Sequence, residues 1–422
     1  MENILRTIKK LIPHNIFHSL QPAYHYIFAL IAAIIYRFPS RKIKVLAITG
    51  TKGKTSTTEI VNAILEEAGY KTALAGTLRF KIDDNEERNL YKMTIPGRFF
   101  VQRFLRRAVR AKCDWVIIEM TSEGARQFRH KFIDFDALIF TNLSPEHIES
   151  HGSFENYKEA KKSIAETLSH SAKRPRIIVA NGDNKYASEF LEVGADIKTT
   201  YSIKDAEPYT LEKDLTTFNF MGAPLKSHLS GAFNLSNMLA GISFARTIGV
   251  SPEVIRRAIE KFHGIRGRVE HVNMGQDFDV IVDYAHTTDS LEKVYEVFQD
   301  SRKICVLGGT GGGRDSWKRP AMGAIAGAHC DEIILTNEDP YDEDPQKIVS
   351  EIMAGVESGG AKIIMDRREA IAYALSLAKI GDAVIITGKG TDPYIMGPNG
   401  TKTQWDDADV AREELTKLGF KK

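Results

Sequence analysis

Ile43–Thr58 reads IKVLAITGTKGKTSTT, and the fold follows from how this stretch is read. An apolar run ending at Thr49 meets a Gly-Thr-Lys-Gly-Lys-Thr-Ser turn, and a helix start follows. Such a turn points backbone N–H groups at a polyphosphate, and the helix N-terminus adds partial positive charge. Gly50 and Gly53 let the backbone curl, Lys54 can reach β- and γ-phosphates, and Thr55 can ligate Mg²⁺. Thr51, Lys52 and Ser56 complete the loop. The spacing is Gly-x-x-Gly-Lys-Thr, because Ile48 stands where the usual phosphate loop has its first glycine. The reading is a nucleoside triphosphate site.

Outward from the loop, β-like runs alternate with helical stretches. Asp114–Met120 (DWVIIEM), Asp136–Leu143 (DALIFTNL) and Arg176–Asn181 (RIIVAN) are strand candidates. Thr58–Tyr70 places Ile60, Val61, Ile64, Leu65 and Ala68 on one helical stripe, with Gly69 as the stop. Apolar strands alternating with helices predict an α/β fold with a mainly parallel sheet covered on both faces, its ligands at the C-terminal strand ends. After Gly264 the alternation restarts, with runs from Asp277, Arg302, Asp331, Ala361 and Asp382. These predict a smaller, Rossmann-like α/β domain. The expected divisions are an apolar helical segment over residues 1–40, a nucleotide-binding domain over 41–265 and a C-terminal domain over 266–422.

The chain has 422 residues, enough for two or three domains, and a formal net charge of +2, which gives no general attraction to nucleic acid. Cys113, Cys305 and Cys330 form no Cys-x-x-Cys pair and read as buried, reduced thiols of a cytoplasmic protein. Ala23–Tyr36 reads AYHYIFALIAAIIY, shorter than the roughly 20 residues that span a bilayer and lacking a cleavage site. A buried or docking helix is expected, with a membrane-surface or partner-subunit contact as the alternative.

Two further clusters carry chemistry. Glu119 ends an apolar strand, where a carboxylate faces the ligand crevice and can hold a metal; Thr121, Ser122, Glu123, Gln127 and Arg129 follow it. Phe140–Lys162 (FTNLSPEHIESHGSFENYKEAKK) places Asn142 and His147 just past a strand end.

Together these motifs resemble the Mur ligase family, ATP-dependent amino-acid ligases of peptidoglycan precursor synthesis. Leu229–Gly241 (LSGAFNLSNMLAG), Val282–Glu292 (VDYAHTTDSLE), Gly308–Gly323 (GGTGGGRDSWKRPAMG) and Asp366–Ile371 (DRREAI) extend the resemblance to the C-terminus. TIPG after Met93 and VDYAHTTDSLE point to the branch that adds the third residue of the stem peptide. The resemblance implies that ATP phosphorylates a carboxylate and that an amine displaces phosphate. Catalytic roles would fall to Lys54, Glu119, His147 and a carbamylated Lys161, with Lys162 as the alternative register. Two Mg²⁺ ions would be held by Thr55, Glu119, His147 and Lys161. Asn234, Asn237, Arg268, Asp283, Tyr284 and His286 match nucleotide-side positions. Thr94, Thr121, Ser122, Gln127 and Arg129 match acceptor positions, and Arg314, Glu338, Asp339, Tyr341, Gly388 and Asp392 fall where the incoming amino acid binds.

Two departures stand out. Only about forty residues precede the phosphate-loop strand, too few for the family's UDP-binding domain. The family's Asp-Asn-Pro-Arg, which serves diaminopimelate, reads Glu338-Asp339-Pro340-Tyr341, and Tyr341 forms no bidentate ion pair. The adjacent Asp342, Glu343 and Asp344 would suit a basic side chain, which favours lysine or another diamino acid added to a UDP-muramoyl-peptide. The alternatives are a related ligase with a lipid-linked or polymeric acceptor and, in another class, a phosphate-loop switch that ligates nothing.

Overall fold

The structure is a computed structural model that describes residues 14–146, 148–313, 316–357 and 360–421, with side chains from residue 21 onward. Its larger sheet contains β1 (Lys44–Thr49), β2 (Thr72–Ala75), β3 (Arg79–Ile82), β4 (Asn85–Arg88), β5 (Trp115–Met120), β6 (Ala137–Phe140), β7 (Ile177–Asn181) and β8 (Ile197–Tyr201). Their order is β4-β3-β2-β5-β1-β6-β7-β8. From β2 to β8 every neighbouring pair is parallel, while β3 and β4 return antiparallel. All of β5 and all but the first residue of β1 are buried, as strands covered on both faces must be.

The register places the functional ends level. Thr49 pairs with Met120 on one side and with Phe140 on the other, so the chain leaves β1, β5 and β6 at one edge. The helix after β1, Lys54–Glu67, stops where the sequence predicts. Gly69 is left-handed at φ 82°, and the Gly69 and Tyr70 amides donate back to Glu66 and Leu65 at 2.9 and 3.0 Å, closing a Schellman motif.

The N-terminal helix, His14–Ile35, has an unusual polarity. It buries Ala29, Ala32 and Ala33 and leaves Ile27, Ile31, Ile34 and Ile35 in solvent. It packs on helix Arg98–Arg110, where Phe28 and Phe99 meet edge to face and Arg106 Nε donates to the Tyr36 carbonyl at 3.0 Å. Among the described residues no helix is long and apolar enough to cross a membrane.

The chain separates into two compact units, one mainly from residues up to Glu146, Ser153–Ser202 and Leu239–Ile255, the other mainly from Ile203–Met238 and from Arg256 onward. Helix Ala232–Thr247 begins in the second and ends in the first. The second unit holds a small antiparallel sheet of β9 (Tyr209–Leu211), β10 (Thr216–Phe220) and β11 (Ala223–Ser227). Its main sheet comprises β12 (Glu270–His271), β13 (Asp279–Val282), β14 (Lys303–Leu307), β15 (Glu332–Leu335), β16 (Lys362–Ile363) and β17 (Ala383–Ile386), in the order β12-β13-β17-β14-β15-β16. Apart from β12 all its pairings are parallel.

One expectation about the cysteines is corrected. Cys305, inside β14, and Cys330, just before β15, form a disulfide, because the parallel pairing of β14 and β15 brings positions 25 apart in sequence within bonding reach. Cys113 is a buried free thiol, as expected.

Candidate active site

The phosphate loop is held open from below. Gly50 sits at φ 153°, and a Cβ there would meet Thr141 Oγ1 at 1.9 Å, so only glycine fits. Asn142 clamps the loop: its carbonyl accepts from Thr51 N at 2.8 Å, its side-chain oxygen from Lys52 N at 2.9 Å, and its Nδ2 donates to the Lys52 carbonyl at 3.1 Å. Tyr157 donates to Thr51 Oγ1 at 3.0 Å. Gly53, left-handed at φ 80°, starts helix Lys54–Glu67 with no side-chain cap, which leaves the helix N-terminus open to an anion. Ser56 is buried in its first turn.

Three charged side chains converge on this loop. Lys54 Nζ donates to the carbonyls of Gly50 and Thr51 at 3.0 and 2.8 Å. Glu119, buried at the end of β5, accepts from Thr55 Oγ1 at 3.1 Å and from Thr77 N and Oγ1 at 3.0 and 2.9 Å. Gly76 makes room for it, since a Cβ there would lie 2.5 Å from Glu119 Oε1. Lys161, on helix Phe154–Ser169, is 1% exposed and donates to the Gly50 carbonyl at 2.6 Å. Burial, reinforced by the positive charge of Lys54, pushes its pKa well below the lysine range. Of the two adjacent lysines it is Lys161 that reaches the loop, while Lys162 is only half-buried. His147 lies outside the described residues. This donor set suits a polyphosphate and a hard divalent cation on Thr55 and Glu119.

The expected acceptor residues form the adjoining wall. Thr94 Oγ1 is 3.0 Å from Thr77 Oγ1, which links it to Glu119. Asn89 shapes this loop by donating to the carbonyls of Gly76 and Met93 at 2.9 and 3.0 Å. Thr121 caps the short helix Ser122–Arg126 by accepting from Gly124 N at 3.0 Å, and Ser122 is buried behind it. Arg129 is buried, donating to the Ile95 carbonyl and, at 2.7 Å, to Gln127 Oε1. Thr77 and Asn89 escaped the sequence reading because neither lies in a charged or glycine-rich motif.

In the second unit Asp283, Tyr284 and His286 follow β13, Glu338, Asp339 and Tyr341 follow β15, and Gly388 and Asp392 follow β17. Asp283 commits both oxygens to backbone amides, Val269 N and Ala285 N, each at 2.7 Å, and burial raises its pKa. Arg268 lies 4.6 Å from the Tyr284 ring, and His286 Nδ1 is 2.8 Å from the Tyr284 carbonyl. Asn234 is buried and donates to the Ser230 carbonyl at 2.9 Å, with Asn237 one turn on.

Glu338 is 3% exposed; Thr310 donates to one of its oxygens at 2.7 Å, and the other has no partner among the described residues. Burial raises its pKa, and the neighbouring Asp339 adds to the shift. Gly388, at φ 103°, leaves the space beside it, since a Cβ would fall 2.4 Å from Glu338 Oε2. Lys389, which sequence reading passed over, is fully buried between Asp339 at 2.9 Å and Asp392 at 3.2 Å. Arg314 lies outside the described residues. Tyr341 is left-handed at φ 54°. The three acids after it each have a structural partner. Asp342 accepts from Asn399 N at 2.6 Å, Glu343 pairs with buried Arg319 at 2.7 Å, and Asp344 caps helix Pro345–Met353.

A phosphate loop on the central strand of a parallel sheet, with a second α/β unit behind it in the chain, defines a nucleotide-binding α/β protein of the phosphate-loop class. Residues 48–245 match the family model described as Mur ligase middle domain, and residues 267–390 match Mur ligase, glutamate ligase domain. The UDP-N-acetylmuramoyl-L-alanyl-D-glutamate–2,6-diaminopimelate ligase of Syntrophomonas wolfei is 38% identical over 402 residues, 92% of this chain and 81% of the relative. The UDP-N-acetylmuramyl-tripeptide synthetase of Roseiflexus is 36% identical over 420 residues, covering 93% and 82%. A solved structure of a diaminopimelate ligase of this type superposes with a TM-score of 0.60 at 27% identity, covering 89% of this chain and 79% of that one. Folylpolyglutamate synthase of Mycobacterium tuberculosis, at 14% identity, shares the fold with a TM-score of 0.68 over 95% of this chain and 97% of its own. The chain belongs to the Mur ligase family. It is an ATP-dependent, ADP-forming ligase of the MurE type, whose relatives act in peptidoglycan precursor synthesis.

Proposed function

We propose that the enzyme adds L-lysine or another diamino acid to a UDP-N-acetylmuramoyl-L-alanyl-D-glutamate-type acceptor in the cytoplasm. The observation that carries this is the cluster of Lys54, Thr55, Glu119 and Lys161 around one glycine loop, where two negatively charged reactants can be neutralised together. ATP would supply the phosphoryl group, and bound Mg²⁺ would supply positive charge beside it. Lys54 and the open helix N-terminus bind the phosphates. Thr55 and Glu119 would hold one Mg²⁺, and Glu119, His147 and Lys161 would hold a second.

Lys161 would serve that second ion as a carbamate. An ammonium would repel Mg²⁺, but burial beside Lys54 favours the neutral amine. That amine adds to CO₂ through a new N–C bond and releases one proton, leaving a carboxylate-like ligand. Asn234, Asn237, Arg268, Tyr284 and His286 serve the nucleotide, with Asp283 fixing the turn that presents Tyr284. Thr94, Thr121, Ser122, Gln127 and Arg129 position the acceptor so that its carboxylate can be phosphorylated. The incoming amine then displaces phosphate. The unpartnered oxygen of Glu338 suits a second ammonium on the amino acid, which is the reason for favouring a diamino acid.

The outward isoleucines of helix His14–Ile35 rest, in this reading, on an anionic membrane surface. Asn3–Thr58 contains no acidic residue, and helix Arg98–Arg110 beneath carries five arginines and no acid. The deciding experiment is an amino-acid panel with UDP-muramoyl-dipeptide, scored by product mass and ADP release. Lysine or a second diamino acid should give a product one residue heavier, with ADP release requiring both substrates. ATP hydrolysis indifferent to both would replace the ligase reading with that of a nucleotide switch.

A further inference from the structure

We propose that Arg98 and His25, beside Arg129, form a phosphate subsite for the distal end of the acceptor, with the N-terminal helix as one wall. The inference rests on the acceptor reading above and adds residues that no family motif marks.

The first observation is a pair of guanidiniums without counter-charge. Arg98 Nε donates to the Gln127 carbonyl at 3.2 Å, and Arg129 donates to Gln127 Oε1 at 2.7 Å and to the Ile95 carbonyl. Every acceptor is neutral, and among the described residues neither arginine meets a carboxylate. Glu123, the acid nearest in influence, is engaged by Gln127 Nε2 at 3.0 Å and by Arg126 at 3.6 Å. Arg129 is only 6% exposed and its Nε has no partner among the described residues. Buried cations are ordinarily paired, because desolvation without a counter-ion is costly. The pKa of Arg129 falls to about 10 through burial first and the Arg98 charge second.

The second observation comes from the N-terminal helix. His25 Nδ1 contacts an Arg98 guanidinium nitrogen, and its other ring nitrogen is buried without a partner among the described residues. Arg98 also faces the Tyr24 ring at 5.6 Å. The third is the start of helix Arg98–Arg110, 13 residues long, whose N-cap Gly97 supplies no side-chain bond and has open space beside it. Its free amides add partial positive charge where Arg98 begins. Two guanidiniums, an imidazole and an uncapped helix end offer more donors than one carboxylate can satisfy, and they match the oxygens of a phosphate or pyrophosphate.

The subsite is one loop away from the chemistry. Arg129 touches Ile95 and lies 3.9 Å from Met93 Sδ, and Thr94 between them reaches Thr77 and so Glu119. The residues matched to the acceptor thus connect, contact by contact, from Arg129 to Glu119.

The test measures binding of inorganic pyrophosphate by calorimetry to the full chain with the phosphate loop saturated by Mg²⁺ and a non-hydrolysable ATP analogue. Wild type should bind, Arg98→Gln should weaken binding about 10-fold or more, Arg98→Lys should retain part of it, and His25→Gln should fall between. In turnover, Arg98→Gln should raise KM for UDP-muramoyl-dipeptide about 10-fold with kcat kept, and leave the phosphate-free muramoyl-dipeptide unaffected. An equal loss with both acceptors would assign the arginine to a carboxylate or to structure, and pyrophosphate binding unchanged in Arg98→Gln would also overturn the inference. If Arg98→Gln does not fold, Arg98→Lys and His25→Gln carry the same comparison. Pyrophosphate binding that depends on Arg98 in an enzyme without ligase activity would sink the ligase reading alone. Ligation with no pyrophosphate binding would sink this one alone.

Discussion

Lys161 shows how a single residue acquires a role from its surroundings. Its sequence context, YKEAKK, is that of a solvated helix face, yet it is buried against the Gly50 carbonyl next to Lys54. Replacing Lys161 by Ala should abolish ligation while leaving nucleotide binding within a few-fold, and short carboxylates should restore part of the rate by supplying the missing oxygens. Full activity in that variant would end the carbamate proposal. Glu338 makes the opposite prediction for stability. Its folded pKa lies above the unfolded value of about 4.5, so the unfolded chain releases its proton first, and stability falls as pH rises from there to the folded pKa. Glu338→Gln should therefore stabilise the fold at neutral pH by ~1 kcal/mol, raise the midpoint of thermal unfolding, and weaken use of the amino acid. His130, buried with both ring nitrogens unpartnered among the described residues, is held to a pKa of about 3 by burial. Its folded pKa is below the unfolded 6.5, so its contribution is present above pH 6.5 and is lost as pH falls from there toward 3. His130→Phe should flatten the acid limb of a plot of unfolding midpoint against pH.

At the scale of elements, the strands around the nucleotide were legible because burial on both faces demands unbroken apolar runs. IKVLAIT and DWVIIEM could be nothing else at that length, and both lie where expected. β3 and β4 were not legible, since they form an antiparallel edge that is partly in water; β4 is NEER. β9 to β11 are short and half-exposed and gave no apolar run. The N-terminal helix was legible as a helix but not in its orientation. Nothing in AYHYIFALIAAIIY announces that the alanines face the protein, a choice set by how closely helix Arg98–Arg110 lies. Ala33→Leu should thus cost about 1–3 kcal/mol by overpacking. Changing Ile31, Ile34 and Ile35 together to Asn should leave stability nearly unchanged and remove co-sedimentation with phosphatidylglycerol-containing vesicles. Retained co-sedimentation in that variant, or self-association without vesicle binding in wild type, would refute the membrane contact.

For the molecule as a whole, ATP binding couples to stability. A nucleotide at about 100 times its Kd should stabilise the fold by ~2.7 kcal/mol, and Lys54→Ala should remove most of the shift in unfolding midpoint. The sequence by itself determined the nucleotide loop, the parallel strands that carry it and the family. These depend on local spacing and on apolar runs, which are written in order along the chain. Only the tertiary structure decided which charges are free. It showed that Asp342, Glu343 and Asp344 each have a partner while one oxygen of Glu338 has none among the described residues, that Asp283 holds a turn, that Cys305 meets Cys330, and that Arg98 and Arg129 stand together with no acid bonded to them among the described residues. Which partners a charge meets is set by strands and helices far away in sequence.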